Sequence, residues 1–544
     1  MFDSTLGIYL IIAFMAMAVS MAVIPLMMRF AASIGMMDQP DSRKVHITPV
    51  PRVGGIGIVL GALMPMAIWL PFNDLVLSYL VGSIVLLVFG IWDDAKEIGH
   101  YVKFIGQFIA AATVVYYGDL YVIHFPFMGM DLLPESIGRP FTVVAVVGMI
   151  NAINHSDGLD GLAGGESLLS LAAIIYLGYL FDSVLIVVIA AATVGGVFGF
   201  LRFNSHPALV FMGDGGSQFL GFTLAFLVLV LTQQANEVLS PALPLLLLGL
   251  PIADILAVFI LRARGGMNLF RATRNHIHHR LLELGFYHYE AVVIIYSIQM
   301  LLIVCAILMP YAYDWLIFSI YLGVCSAIFV LLTMAERKKW GIKHNLPSLD
   351  KLQIKIIPKD ILIKISARGL ETCVSLFLIA AAIMSTDIPF DIGVSSLFLL
   401  VALLFLLFFS GLHFLLYRLI LFVTVGFSVY LLSTNPPSWL LVKGHIIYMY
   451  FGIVVILALL VARMAAKGAF KITPLDYLVI MLTLIIGVGH DNTVQSDSLI
   501  WMSIQIIILF YACELIIQNM TRRLNNLTLS AAVTLVLISL RSVI

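Results

Sequence analysis

Charge is what this sequence has least of. Of 544 residues only 11% are Asp, Glu, Lys or Arg, 62% are hydrophobic, and the mean hydropathy is +1.08. Such a composition excludes a water-soluble globule. A basic surplus is also missing, since 30 basic residues balance 30 acidic ones, and a nucleic-acid binder needs a positive face. The four cysteines, Cys305, Cys325, Cys373 and Cys513, all fall inside apolar runs, which excludes a disulfide framework and a cysteine-based metal site. The first apolar run has no basic residues ahead of it and no small-residue cleavage site, so it is expected to be a retained helix rather than a signal peptide.

What is present is a series of apolar windows long enough to cross a hydrocarbon core. They lie near residues 6 to 28, 53 to 71, 75 to 92, 103 to 118, 140 to 154, 167 to 181, 183 to 201, 215 to 232, 242 to 261, 290 to 309 and 315 to 334. A second block follows near 370 to 386, 393 to 410, 412 to 432, 439 to 461, 474 to 489, 498 to 517 and 527 to 541. The expectation is an all-α polytopic integral membrane protein with about eleven helices in a core and about seven more appended. Residues 336–369 interrupt the pattern with lysines and arginines and read as a basic cytoplasmic linker or an amphipathic element on anionic lipid. The division is therefore a core over 1–335, a linker over 336–369 and a helical block over 370–544. With the N-terminus outside, parity places nearly all basic residues on one side, which the positive-inside rule makes cytoplasmic; Arg139, Lys443 and Arg541 are the exceptions.

Five polar stretches share that side: DQPDSRKVHITPVPRVGG (38–55), GIWDDAKEIG (90–99), NAINHSDGLDGLAGG (151–165), FNSHPALVFMGDGGS (203–217) and RATRNHIHHRLLELGF (271–286). Asp93 and Asp94 close a span, a placement that also suits a solvated helix end. Asn154, Asp157 and Asp160 recur every three residues among glycines, as in a broken helix end where backbone approaches a ligand. Asp214 precedes a span within a glycine-rich turn and can serve either as a hard oxygen ligand beside helix amides or as a helix N-cap. His276, His278 and His279 stand among Arg271, Arg274 and Arg280, a cationic set suited to an anion. Zinc is the competing ligand for the histidines, but no cysteine is near and the aspartates favour an oxygen-loving ion such as Mg²⁺. Carboxylates for Mg²⁺, cations for phosphate and glycines for close approach together suit a pyrophosphate substrate, and a site at the membrane face suggests that one reactant is a lipid.

In these blocks, from about Asp38 to Phe286, the chain resembles the polyprenyl-phosphate N-acetylhexosamine-1-phosphate transferase superfamily (glycosyltransferase family 4). The resemblance implies a family fold of ten or eleven transmembrane helices to about residue 335. The implied reaction moves a sugar 1-phosphate from a UDP-N-acetylhexosamine to undecaprenyl or another polyprenyl phosphate at the cytoplasmic face of the plasma membrane. It releases UMP and starts surface-polysaccharide or cell-wall glycan synthesis. HIHHRLLELGF resembles the branch that uses UDP-N-acetylglucosamine; the muramyl-pentapeptide branch has three consecutive histidines, and here Ile277 interrupts them.

By the same resemblance Asp93 and Asp94 lie near the lipid phosphate, with Asp93 a base if one is needed. Asp214 ligates Mg²⁺, or Mn²⁺ in its place, with Asp157 and Asn154 in support. Asp160 reads the uracil edge, Phe211 stacks on the base, and Asn204 supports the nucleotide. Arg274, His276, His278 and His279 bind phosphate or orient the sugar, and Lys44 and His46 line the entrance. The block after residue 370 lies outside the family pattern, and homo-oligomer or glycan-assembly partners could dock through it. Two rivals stand beside the enzyme. A lipid-carrier transporter is suggested by Asp254, His413 and Asp476 within spans, although no internal repeat accompanies them; the other is a membrane scaffold.

Overall fold

The computed structural model describes residues 4–40, 49–129, 131–236, 238–266, 275–341, 359–408, 413–434, 436–437, 445–464, 494–518 and 526–542. Uninterrupted apolar sequence forms helices because a chain in lipid must satisfy its own backbone groups. Among the described residues, nine helices are long and apolar enough to cross a membrane, and six shorter apolar helices accompany them. The protein is an all-α polytopic membrane protein. Each predicted span carries a helix, except that near 474 to 489, which lies outside the described residues.

The chain divides into two compact units. The first holds the described residues up to Gly341. It contains α1 (Ser4–Phe30), α2 (Gly54–Trp69), α3 (Asp74–Lys96), α4 (His100–Ala112), α5 (Glu135–Ser156), α6 (Leu162–Leu180), α7 (Val184–Asn204) and α8 (Gly213–Val230). After these come α9 (Pro244–Leu247), α10 (Gly249–Arg264), α11 (Ile277–Glu283), α12 (His288–Leu308) and α13 (Asp314–Arg337). Two-residue strands, Met37–Asp38 and Val50–Pro51, pair antiparallel ahead of α2. The window near 242 to 261 is broken, because Leu248 separates α9 from α10.

The centre of this unit is α8, buried along nearly its whole length and packed by α2, α3 and α5. Small residues make those contacts close. A Cβ on Gly90 of α3 would lie 2.2 Å from Gly215 Cα, and one on Gly55 of α2 would lie 2.2 Å from Gly216 N. The glycines of FMGDGGS therefore bring three helices together at the start of α8. Gly213, at φ 72°, turns the chain into it. As a result the C-terminal ends of α3, α5 and α7 meet the N-terminal ends of α2, α4, α6 and α8 around one cavity.

The second unit holds the described residues from Lys359 onward, in helices Lys359–Met384, Phe390–Phe408, His413–Thr434, His445–Met464, Val494–Gln518 and Asn526–Arg541. Its core is apolar, with Leu370, Val374, Val425, Phe451, Leu509 and Ala531 buried together. Arg541 donates to the carbonyls of Ala382, Ile383 and Ser385, satisfying the open end of the first of these helices. The segment read as a linker is helical at both ends, since α13 runs to Arg337 and the next helix opens at Lys359.

Gly90→Ala and Gly55→Ala are each expected to destabilise the protein by about 1–3 kcal/mol through overpacking. Thermal unfolding in detergent reads this against Gly148→Ala, whose Cβ would meet nothing within 4 Å and which leaves the transition unchanged or raises it.

Candidate active site

The cavity at these helix ends measures about 800 Å³ and is lined by residues from all the polar stretches. Its acidic wall comes from α3 and α8. Lys103, in the first turn of α4, places Nζ 2.6 Å from Asp93 Oδ2 and 2.6 Å from Asp214 Oδ2. One ammonium thus ties together two carboxylates that are 121 residues apart in sequence. The other oxygen of Asp93, Oδ1, is buried without a hydrogen-bond partner. Asp214 also accepts from Asn154 Nδ2 at 3.2 Å and from Gln218 Nε2 at 3.3 Å.

Asp94 is spent differently from its neighbour. Its Oδ1 accepts the Asp214 N–H at 3.0 Å and its Oδ2 the Gly215 N–H at 3.4 Å. It caps α8 from another helix and holds Asp214 in register, so its carboxylate faces backbone amides at the cavity lining, where the resemblance implied a place near the lipid phosphate.

The loop between α5 and α6 carries Asp157 and Asp160. Burial first, then the charges of Asp214 and Asp160, push the Asp157 carboxyl up to about 7. Asp160 is held on three sides. Its Oδ2 meets His206 Nδ1 at 2.7 Å and the Ala208 N–H at 3.1 Å, and its own N–H donates to His288 Nε2 at 3.0 Å. The rings of His206 and His288 stack at 4.2 Å. Among the described residues these three are also the group of Asp and His whose ligand atoms lie within 4.8 Å of one another. His206 and His288 thus brace Asp160 through its carboxylate and its backbone N–H.

Asn204 is a brace as well. Its Oδ1 accepts the Gly161 N–H at 2.7 Å and its Nδ2 donates to the Val210 carbonyl at 2.8 Å. Both ends of the amide hold loops, and the residue also lines the cavity. Phe211 lines the cavity and bonds through its backbone to Pro51 O and Gly54 N.

The histidine cluster is divided. His279 lines the cavity. His276 is buried against Asp254, and His278 is buried against Gly158, whose Cβ would meet the imidazole Nε2. Burial first, then His279 and His276, lower His278 to about 3, which favours its neutral form. Lys44, His46 and Arg274 lie outside the described residues.

Lys103, Arg52, His206 and His288 all line the cavity and were not among the residues singled out from sequence. Arg52 pairs with Asp38 there. A lysine at the edge of an apolar window, nine residues after Asp94, was the available signal for Lys103.

A hard cation fits this wall. Its donors are oxygens, Asp93 Oδ1 is buried and unpartnered, and Asn154 spends its amide nitrogen on Asp214 and Ser217. Its amide oxygen is left for such an ion.

Comparison with known proteins decides the family. The profile of glycosyl transferase family 4 matches residues 76–232, which span α3 to α8. A Bacillus subtilis (strain 168) protein named probable undecaprenyl-phosphate N-acetylglucosaminyl 1-phosphate transferase is 34% identical over 330 residues, covering 59% of this chain and 90% of its own length. The chain belongs to glycosyl transferase family 4. Undecaprenyl-phosphate alpha-N-acetylglucosaminyl 1-phosphate transferases of Escherichia coli (strain K12) and Haemophilus influenzae are similar too. They are 30% and 33% identical, over 58% and 52% of this chain and 87% and 83% of their own lengths. The family match thus contains Lys103 and, apart from Asp38, every carboxylate that lines the cavity.

Asp94→Ala is expected to lower thermal stability by about 1–2 kcal/mol through loss of the cap, with Asp94→Asn closer to wild type. The raised Asp157 carboxyl gives a second outcome. The folded state binds the proton more tightly than the unfolded one, so without divalent ions stability falls as pH rises from about 4 to 7. Thermal melts of Asp157→Asn should show a shallower slope across that window.

Proposed function

We propose that the protein transfers N-acetylglucosamine 1-phosphate from UDP-N-acetylglucosamine to undecaprenyl phosphate at the cytoplasmic face of the plasma membrane, releasing UMP. The acceptor and the sugar phosphate are those in the names of its relatives. The single observation that carries the reading is the Asp93, Lys103 and Asp214 cluster, set in a cavity ringed by His279, Arg52 and the braced Asp160. The sidedness rests on the positive-inside rule, since Lys96, Lys103 and Arg202 stand at helix ends beside the cavity.

In this reaction an oxygen of the lipid phosphate attacks the β-phosphorus of the donor. The bond from that phosphorus to the oxygen bridging the two phosphates breaks, and UMP leaves with the electron pair. A phosphate monoester is mostly dianionic at neutral pH, so the attacking oxygen needs no base there, and Asp93 accepts the proton from a monoanion. Negative charge spread over the transferred phosphoryl group is what the protein must offset. Lys103 supplies one cation at the carboxylate pair and Arg52 another at the rim. Asp160, with Oδ2 held by His206 and Ala208, keeps its other oxygen for the imide N–H of a uracil, and Phe211 offers its ring to the base. Asp214, Asp157 and Asn154 would hold Mg²⁺, or Mn²⁺ in its place. That ion supplies charge neutralisation at the donor pyrophosphate.

The experiment is UMP release by the purified full-length protein with undecaprenyl phosphate, Mg²⁺ and a panel of UDP-sugars. Release with UDP-N-acetylglucosamine, abolished by EDTA and by Asp214→Asn in a protein that elutes as wild type, is expected. Turnover confined to a UDP-muramyl-pentapeptide would reassign the donor, and undiminished turnover by Asp214→Asn would remove the metal role.

A further inference from the structure

The histidine that reaches the cavity, His279, sits on α11, a helix of seven residues. A helix that short does not hold itself together, so its position depends on what ties it down. On one side Arg280 donates from Nε to Glu336 Oε1 at 2.6 Å and from Nη2 to Glu336 Oε2 at 2.9 Å, fixing α11 to α13. At the other end, Asp254 of α10 uses both oxygens. Its Oδ2 meets His276 Nδ1 at 2.7 Å, and its Oδ1 accepts the Ile277 N–H at 2.8 Å, the first amide of the helix.

Asp254 is 6% exposed and does not line the cavity. An unpaired carboxylate in such a place costs several kcal/mol, and here two donors offset the cost. From His276 a row of rings leads outward. His276 stacks on His278 at 5.7 Å, and His278 meets His279 at 4.2 Å.

We propose that Asp254 is a positioning residue for the transfer reaction. By fixing His276 and the first turn of α11, it sets where His279 stands toward the phosphates of the donor. The proposal rests on the transferase reading of the cavity. It also gives the buried charge on α10 a purpose other than transport: Asp254 holds a loop against the site.

The test uses full-length protein in detergent carrying Asp254→Ala, Asp254→Asn, His279→Ala and the two pairs of Asp254 changes with His279→Ala. Initial rates with the UDP-sugar varied give kcat/KM, and diethyl pyrocarbonate labelling followed by mass spectrometry reads each histidine. Asp254→Ala is expected to lower kcat/KM about tenfold or more, and Asp254→Asn less, because its amide oxygen still accepts from Ile277. The pairs should be no worse than His279→Ala alone, since both changes act through one side chain. Wild-type kcat/KM in both Asp254 variants, or double losses equal to the product of the single ones, overturns the proposal. If Asp254→Ala does not fold, Asp254→Asn carries the cycle alone.

Labelling keeps the two ideas separable. His276 should react about tenfold faster in the Asp254 variants than in wild type, with His124 unchanged as the internal standard. If wild type transfers nothing, the functional reading fails, while unaltered labelling of His276 and His279 in the variants overturns the positioning role by itself.

Discussion

The site depends on one interaction: a lysine ammonium held between two carboxylates from different helices. Asp93 ends α3, Asp214 begins α8, and without a cation between them their charges would oppose the close approach that Gly90 and Gly215 permit. Lys103, from the start of α4, makes the approach tolerable. Packing and electrostatics are thus two views of one constraint, since the glycines bring backbones together and the lysine lets the acidic side chains follow.

Around that centre most polar groups position other groups. Asp94 caps α8, Asn204 bridges two loops, His206 and His288 brace Asp160, and Asp254 holds α11. The groups that line the cavity and are assigned to ligands are fewer, chiefly Asp93, Lys103, Asp214, Asp157, Asp160 and Asn154. A membrane enzyme that works on charged phosphates needs this division, because every buried polar group must be satisfied before another can be left available.

Much of this was legible in the sequence. Long apolar windows announce membrane helices because lipid leaves the backbone no other option, and parity brought all five polar stretches to one end. That end is where the cavity lies. The aspartates could be found because carboxylates at the ends of apolar runs are costly. Their individual roles could not be read, since Asp93 and Asp94 are adjacent and alike in sequence, yet one faces Lys103 and the other faces the amides of α8. The histidine cluster misled for a similar reason: spacing put three imidazoles in one loop, while burial turned His276 and His278 away and left His279 at the cavity. Lys103 was counted as a topological charge because its partners lie on other helices. Asp254 within a span suggests a transporter as a rival reading, and its contacts with His276 and Ile277 give it a structural role instead; the side chain of His413 and the whole of Asp476 lie outside what is described.

The most direct measurement is the turnover of Lys103→Met beside Lys103→Arg, with thermal stability recorded for each. The account predicts that Lys103→Met loses about a hundredfold or more of the UMP-release rate while remaining folded, and that Lys103→Arg, which keeps a cation at the carboxylate pair, retains part of it. A Lys103→Met protein turning over at the wild-type rate would contradict it.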